Sequence, residues 1–267
     1  MDKVPDKTRM KVIKHLETLK LRMIGKILDD ELSNAIKKKL TTLELLERLL
    51  SYEANCMIER RIERRIKESK LPERKLLANF DFKFQKNIDK EQIMELSSLN
   101  FIDKKQGLIL AGNSGTGKSY IAKALILCAC QRLYRSRYTT AADMLKELMS
   151  GLSDESLEQK LKKYTNPEVL LIDEMGFDKL EQESSRNASL FFKVIDARYC
   201  KSTTIITSNI DFKDLGDYLG DPVITTAIVD RMIHHSIIIN IEGPIYRMHE
   251  SKKLNKSKRK VRKSKKG

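Results

Sequence analysis

The sequence predicts an α/β fold in which a parallel sheet is flanked by helices, with a small all-helical domain before it. After residue 89, short apolar runs alternate with helical patterns, which is typical of parallel strands covered on both faces. Before residue 71, the apolar residues recur at helical spacing. The 267 residues of the chain suffice for one sizeable core and a small satellite domain.

Each helix and strand is expected from a local pattern. Within residues 8–70 the apolar spacing predicts a helix and then a long second helix, which the capping-box pair Thr41 and Glu44 opens and which ends before Pro72. Strands are expected at 107–111, 136–140, 169–172, 203–207 and 236–241. Helices are expected at 117–134, from 141 onward, at 184–199 and at 222–233. The predicted organisation is a helical N-terminal domain at 1–71, a linker at 72–88, an α/β domain at 89–250 and a disordered basic tail at 251–267.

The net charge of +15 is concentrated at the two ends of the chain. Residues 251–267 contain ten lysines or arginines and no acidic residue, and residues 1–79 contain 20 basic and 13 acidic residues. Residues 80–250 are close to neutral, with 22 basic and 24 acidic residues. Clustered lysines and arginines favour a nucleic-acid partner because they neutralise phosphates and release counterions. A solvated helix face and a basic tail that only aids solubility would give the same charge distribution.

Deletion of residues 251–267 is expected to weaken binding to a nucleic-acid duplex and to flatten its salt dependence. Fewer phosphates would be neutralised by the shortened chain, so fewer counterions would be released on binding. Equilibrium binding measured between about 50 and 200 mM salt, for the full and the shortened chain, gives the two slopes. Equal slopes would show that the tail contacts no phosphate.

The sequence also indicates in which cellular compartment the protein is expected. No apolar run approaches the roughly 20 residues that cross a bilayer, so we expect no membrane partner. The N-terminus lacks a short apolar stretch followed by small residues, so we expect no secretory signal. The four cysteines lack metal-site spacing and are expected to be reduced thiols: Cys56, Cys128, Cys130 and Cys200. A cytoplasmic location is therefore expected.

Residues 112–119 match a phosphate-binding loop in full. Their sequence, Gly-Asn-Ser-Gly-Thr-Gly-Lys-Ser, fits G-x-x-x-x-G-K-[ST] between an expected strand and an expected helix. Glycines in such a loop let successive peptide N–H groups surround phosphate oxygens at the positive end of a helix. Lys118 would reach the β- and γ-phosphates, and the Ser119 hydroxyl would bind Mg²⁺. We predict that ATP is bound by nine consecutive residues: Gly112, Asn113, Ser114, Gly115, Thr116, Gly117, Lys118, Ser119 and Tyr120.

Two acidic residues follow the third expected strand and complete the pattern of an ATP-hydrolysing site. Asp173 is expected near the Mg²⁺, and Glu174 would orient and deprotonate the attacking water. Asn209, after the fourth expected strand, would bridge that water and the γ-phosphate. The structural alternatives are a helix N-cap and a surface charge for the two acids, and a turn residue for the asparagine.

Two arginines are further candidates for the catalytic site. Arg231, in the segment Asp-Arg-Met-Ile-His-His at 230–235, would stabilise the charge of the transition state across a subunit boundary. Arg247, in Gly-Pro-Ile-Tyr-Arg at 243–247, would be a second arginine that senses the nucleotide. A structural salt bridge is the alternative for each.

With these motifs in place, the sequence resembles the IstB-like proteins, which are AAA+ ATPases that assist the transposases of insertion sequences. The resemblance covers about residues 15–248. It rests on the phosphate loop, on the helical segment from 19–23 to Pro72, and on these stretches: 80–84, 99–102, 138–145, 171–177, 207–209, 221–222, 230–235 and 241–247. The segments at 230–235 and 241–247 are more specific to this family than the nucleotide motifs, which the whole ATPase class shares.

The resemblance implies a P-loop NTPase fold of the AAA+ type, with a five-stranded parallel sheet and a reduced lid. It also implies homo-oligomers that assemble with ATP and have active sites between subunits, which gives Arg231 its role in trans. Such assemblies bind and deform duplex DNA, mark it as a target and engage a cognate transposase. The transposase then stimulates ATP hydrolysis and carries out strand transfer.

Two other functions are compatible with parts of the sequence. A helicase loader of the DnaC type shares this ATPase core, would hold a replicative helicase and would prefer single-stranded DNA. A DNA-binding scaffold with an inactive nucleotide site is disfavoured, because Lys118, Asp173, Glu174 and Asn209 are all present.

Overall fold

The computed structural model describes residues 6–85, 87–176, 185–210 and 221–246. The chain divides into two compact units, Met1–Arg64 and Arg65–Gly267. Within the described ranges, no helix combines the length and the apolar character that a bilayer span requires. All four cysteines are free thiols.

The first unit is formed by three helices: α1 (Asp6–Thr18), α2 (Arg22–Lys38) and the first part of α3 (Thr42–Glu68). The one helix expected before α3 is therefore two, because the chain turns at Lys20, whose φ is 60°. The capping box at the start of α3 is present, since Glu44 Oε2 accepts from the Thr41 backbone N at 2.7 Å. The division between the units falls inside α3, and the domain boundary at residue 71 stays a prediction.

A buried glutamate of α3 fixes the start of α2. Glu53 is 2% exposed, and its Oε2 accepts hydrogen bonds from the backbone N of Met23 at 2.6 Å and of Ile24 at 3.0 Å. A carboxylate is stabilised at a helix N-terminus because the first N–H groups have no partner within the helix. Ile24 and Leu28 of α2 pack with Leu49 of α3 in a small core around this contact.

The second unit is built on a five-stranded sheet in the order β2-β3-β4-β1-β5. The strands are β1 (Gly107–Ala111), β2 (Ser136–Thr140), β3 (Val169–Met175), β4 (Thr203–Ser208) and β5 (Ser236–Asn240). Every pairing is parallel, so the carboxyl ends of all five strands lie along one edge, which we call the carboxyl edge. The opposite edge is the amino edge. The predicted parallel α/β fold is confirmed.

The second unit also contains the helices α4 (Lys90–Leu96), α5 (Asn100–Asp103), α6 (Lys118–Gln131), α7 (Ala141–Ser153), α8 (Leu157–Thr165), α9 (Ser185–Arg198) and α10 (Pro222–His234). Of these, α6, α7 and α10 pack directly on strands of the sheet. The α6 residues Ile121, Ala122 and Leu125 are fully buried. Residues 169–172 of β3 are also fully buried, which explains why the sequence of this strand is continuously apolar. The sheet therefore holds the carboxyl ends of β1, β3 and β4 in fixed positions.

Candidate nucleotide-binding site

The phosphate loop, residues 112–117, joins β1 to α6 at the carboxyl edge. Gly112 and Gly117 have φ values of 128° and 107°, which side chains with a Cβ rarely adopt. A Cβ on Gly112 would lie 2.3 Å from the carbonyl oxygen of Ile241, and one on Gly117 would lie 2.7 Å from the Phe80 ring. These two glycines are therefore required by backbone conformation and by space.

Lys118, at the start of α6, forms hydrogen bonds with the phosphate loop. Its side-chain Nζ donates to the carbonyl oxygens of Gly112 and Asn113, both at 2.7 Å, and the residue is 7% exposed. Burial lowers the pKa of Lys118, and the nearby Asp173 acts in the opposite direction. A bound nucleotide would offer phosphate oxygens in place of the two carbonyl oxygens.

Two segments that are distant in sequence contact the phosphate loop and the first turn of α6. The ring of Phe80 lies 5.4 Å from that of Tyr120, whose hydroxyl donates to the carbonyl oxygen of Leu76 at 3.0 Å. At the end of the described chain, the backbone N of Tyr246 donates to the carbonyl oxygen of Gly115 at 2.9 Å. The stretches at 80–84 and 241–246 thus both lie beside the loop.

Asp173 lies at the carboxyl end of β3 and is fully buried. Its Oδ1 accepts from the Thr207 hydroxyl at 2.6 Å, and its Oδ2 accepts from the Tyr138 hydroxyl at 3.3 Å. The ammonium of Lys123 is 3.4 Å from the same Oδ2. Burial, together with the carboxylates of Asp173 and Glu174, raises the pKa of Tyr138, so this phenol is a neutral donor at physiological pH.

Glu174 has an irregular backbone near the end of β3. Its φ is 61°, a left-handed conformation that costs a residue with a Cβ roughly 1–2 kcal/mol. The pairing of β3 with β4 shifts between Ile172 and Met175, and the Glu174 N–H donates instead to the Thr207 hydroxyl at 2.9 Å. Pairing of Met175 with Ser208 extends β3 beyond the predicted end at 172, with Asp173 buried and Glu174 exposed at the carboxyl edge.

Asn209 follows β4 at the same edge of the sheet. Its backbone N–H donates to the carbonyl oxygen of Met175 at 3.4 Å, and its side chain is exposed. Ser119 lies in the first turn of α6 and is half-buried. The fold therefore brings the predicted residues Ser119, Asp173, Glu174 and Asn209 to one edge, beside the phosphate loop.

Arg231 lies at the opposite edge. It belongs to the last turn of α10, which leads into Ser236, and Ser236 pairs with Gly107 at the amino end of β1. The phosphate loop begins at the other end of β1, a strand length of about 15 Å away. The Nε of Arg231 donates to Asp196 Oδ1 at 2.8 Å, and its guanidinium lies 4.8 Å from the centre of the Phe192 ring.

The predicted arginine Arg247 and the tail at 251–267 lie outside the described residues. Sequence reasoning missed three side chains of the Asp173 environment: Lys123, Tyr138 and Thr207. Thr207 had a usable signal, since it is a polar residue near the end of an apolar strand and lies two residues before Asn209. Lys123 was a lone lysine within an apolar helical run. Tyr138 begins the stretch 138–145, which contributes to the family resemblance, but no role at the site was assigned to it.

The fold is shared with solved replication proteins. The structure of AMPPCP-bound DnaA from Aquifex aeolicus has a TM-score of 0.54 and 22% identity, over 65% of this chain and 51% of that chain. DnaI has a TM-score of 0.51 and 24% identity, over 64% of this chain and 90% of its own. The DnaC helicase loader has a TM-score of 0.51 and 20% identity, over 62% of this chain and 96% of its own. At these identities the likeness confirms the predicted P-loop fold of the AAA+ type and extends no further.

Sequence comparison identifies the family. Residues 14–254 match the family of IstB-like ATP-binding proteins. The ATP-binding protein of insertion sequence IS5376 from Geobacillus stearothermophilus is 41% identical over 217 residues, covering 81% of this chain and 85% of the relative. That of IS232 from Bacillus thuringiensis subsp. berliner is 35% identical over 236 residues, covering 88% and 93%. That of IS21 from Pseudomonas aeruginosa is 37% identical over 238 residues, covering 89% of each. The chain therefore belongs to the family of IstB-like ATP-binding proteins, and it is an ATPase.

Proposed function

We propose that this chain is an ATP-dependent DNA-binding ATPase that assists the transposase of an insertion sequence in selecting target DNA and in activating strand transfer. The observation that supports this most directly is that Ser119, Asp173, Glu174 and Asn209 lie beside the phosphate loop at the carboxyl edge, in a chain whose relatives are proteins of insertion sequences. The likeness to helicase loaders is limited to the fold. Helicase loading is therefore the alternative function that the binding experiment described below distinguishes.

The residues at the carboxyl edge fit a nucleotide with Mg²⁺. Asp173 is a buried carboxylate whose Oδ2 is met by a phenol at 3.3 Å and an ammonium at 3.4 Å, so this oxygen lies where a positive charge is stabilised. Together with the Ser119 hydroxyl it offers the oxygen ligands that Mg²⁺ prefers. Mg²⁺ bound there would neutralise charge on the β- and γ-phosphates.

The chain's own residues supply the other parts of hydrolysis. Lys118 would exchange its two loop carbonyls for phosphate oxygens and stabilise their charge. Glu174 is exposed and free of an ion pair among the described residues, so it can accept a proton from water. Asn209 follows the neighbouring strand, and its amide can donate to the γ-phosphate and accept from the same water.

The position of Arg231 supports an assembly of several copies. A strand length separates this arginine from the phosphate loop of its own chain, so it cannot reach its own nucleotide. We assign it to the site of a neighbouring copy in a homo-oligomer assembled with ATP, where a guanidinium stabilises the transition state. In the single chain Asp196 holds Arg231 as an exposed ion pair.

Duplex DNA is the proposed binding partner of this assembly. The basic surplus lies in residues 1–79 and 251–267, outside the nearly neutral ATPase region. Such clusters supply phosphate contacts without reading sequence. In this proposal, residues 89–250 bind ATP and the basic ends of the chain contact DNA. The ATP-bound assembly then engages the cognate transposase.

The test is binding to long duplex DNA and to single strands, each with ATP, with ADP and without nucleotide. We expect tight, cooperative binding to duplex only with ATP. The Glu174→Gln variant should prolong that binding, since it retains ATP that it hydrolyses slowly. A preference for single strands, or no duplex binding in any nucleotide state, would support the helicase-loader function instead.

A further inference from the structure

A lysine outside the sequence motifs bridges the acidic site and the segment that follows α3. The Nζ of Lys123 is 3.4 Å from Asp173 Oδ2 and 3.8 Å from Glu73 Oε1. The side chain of Asp173 is fully buried, whereas that of Glu73 is 50% exposed. One ammonium therefore lies between a carboxylate at the proposed metal site and a carboxylate near solvent.

Without a metal, Lys123 is the ion-pair partner of Asp173. A buried carboxylate is costly unless it is paired and hydrogen-bonded. The hydroxyls of Thr207 and Tyr138 donate to Asp173 but carry no charge. Lys118 is a second cation near Asp173, and its Nζ donates to two loop carbonyls. The positive charge in contact with Asp173 thus comes from Lys123.

We propose that Lys123 is a positioning residue that holds Asp173 while Mg²⁺ is absent and moves to Glu73 when Mg²⁺ binds. An ammonium and a divalent cation at the same carboxylate oxygen repel each other strongly at such short distances. Lysine is a point charge on a flexible four-carbon stem, so its head can move by an ångström or two while the helix stays fixed. The proposal rests on the metal role assigned to Asp173 above.

Glu73 carries the negative charge that it needs to bind the Lys123 ammonium. Its Oε2 is 2.9 Å from Lys75 Nζ, and this hydrogen bond lowers the pKa of Glu73, so the carboxylate is ionised at neutral pH. The ammonium of Lys75 in turn lies 5.3 Å from the centre of the Tyr120 ring, next to Ser119. Metal occupancy at Asp173 would therefore change the ion pairs of Glu73, which lies a few residues after the end of α3 at Glu68.

Mn²⁺ affinity tests the exchange. The protein is saturated with a non-hydrolysable ATP analogue, and free Mn²⁺ is followed by electron paramagnetic resonance during titration. Lys123→Met removes the competing cation and should bind Mn²⁺ about tenfold more tightly. Glu73→Gln removes the receiving carboxylate and should bind it about threefold more weakly. The double variant should match Lys123→Met alone, because Glu73 acts only through the lysine.

Three further measurements separate this exchange from a structural role. Lys123→Arg keeps the charge and should remain within about threefold of the unaltered protein. Lys162→Met, an exposed lysine of α8, should change nothing. Without nucleotide and in EDTA, Lys123→Met should melt several degrees lower, because Asp173 then lacks its partner.

The outcomes that overturn the inference are distinct from those that overturn the proposed function. If Asp173→Asn leaves Mn²⁺ affinity unchanged, the metal role of Asp173 is wrong and the exchange with it. If Asp173→Asn weakens Mn²⁺ binding but Lys123→Met fails to strengthen it, only the exchange is wrong. Should Lys123→Met not fold, unchanged affinity in Glu73→Gln is sufficient to reject the exchange, since Glu73 is half exposed and tolerant of substitution.

Discussion

Glu174→Gln is expected to lower kcat for ATP hydrolysis by about two to three orders of magnitude, the contribution of a positioned general base. Glutamine keeps the size of the side chain and can occupy the same left-handed backbone position, but it cannot take a proton from water. The affinity for ATP should stay within about threefold, because the phosphate loop is unchanged. Single-turnover hydrolysis together with equilibrium binding of an ATP analogue measures both quantities.

Glu168→Gln is the matched control for this substitution. Glu168 lies just before β3 at the amino edge, where its Oε2 accepts from the backbone N of Arg135 at 3.0 Å. The same loss of one carboxylate charge occurs there at the opposite end of the same strand. We expect kcat to be unchanged in this control. If Glu174→Gln also hydrolyses ATP at the rate of the unaltered protein, Glu174 is not the base.

The sequence predicted the fold well wherever the pattern is local. The five strands were expected within a few residues of their positions, because all except β2 contain a short apolar run. The break between α1 and α2 was missed, since the apolar spacing continues through Leu19 and Leu21 while Lys20 turns the chain. The extension of β3 to Met175 was missed for a different reason. It depends on pairing with β4, a strand distant in sequence, after a register shift that leaves no local signal.

The site was predictable where its residues form a continuous motif and not where tertiary packing assembles it. The phosphate loop and the acids after β3 belong to contiguous patterns. Thr207, by contrast, matters because its hydroxyl donates to Asp173 and accepts from the Glu174 N–H, which only the pairing of β3 with β4 brings about. Lys123 and Glu73 are 50 positions apart in sequence and meet through the packing of the segment after α3 on α6.

A buried arginine at the other edge of the sheet has no counterpart among the sequence predictions. Arg198 ends α9 and is 1% exposed. Its guanidinium donates to the carbonyl oxygens of Tyr164 and Pro167, each at 2.8 Å, and to that of Thr203. Its Nε donates to the Thr204 hydroxyl at 2.9 Å. Burial lowers the pKa of Arg198, although the group remains cationic at neutral pH.

Arg198→Met is accordingly expected to destabilise the second unit by about 3–5 kcal/mol, because several buried carbonyl groups lose their donors at once. These carbonyls join the end of α8, the turn before β3 and the start of β4, so the amino edge would lose its common anchor. Urea denaturation followed by circular dichroism measures the shift of the midpoint. Arg198→Lys should recover only part of the loss, because an ammonium cannot reproduce the planar fork that reaches α8 and β4 together.

Arg135→Met is the matched control for Arg198→Met, because it replaces an arginine of the same unit with the same residue. Arg135 pairs with Glu168 across 3.3 Å, and its side chain is 58% exposed. Exposed ion pairs contribute about 0–1 kcal/mol, so its midpoint should hardly move. A shift in Arg198→Met no larger than that of Arg135→Met would mean that water satisfies the carbonyls of Tyr164, Pro167 and Thr203 equally well. A large difference between the two would identify Arg198 as the anchor of the amino edge, separate from the nucleotide chemistry at the carboxyl edge.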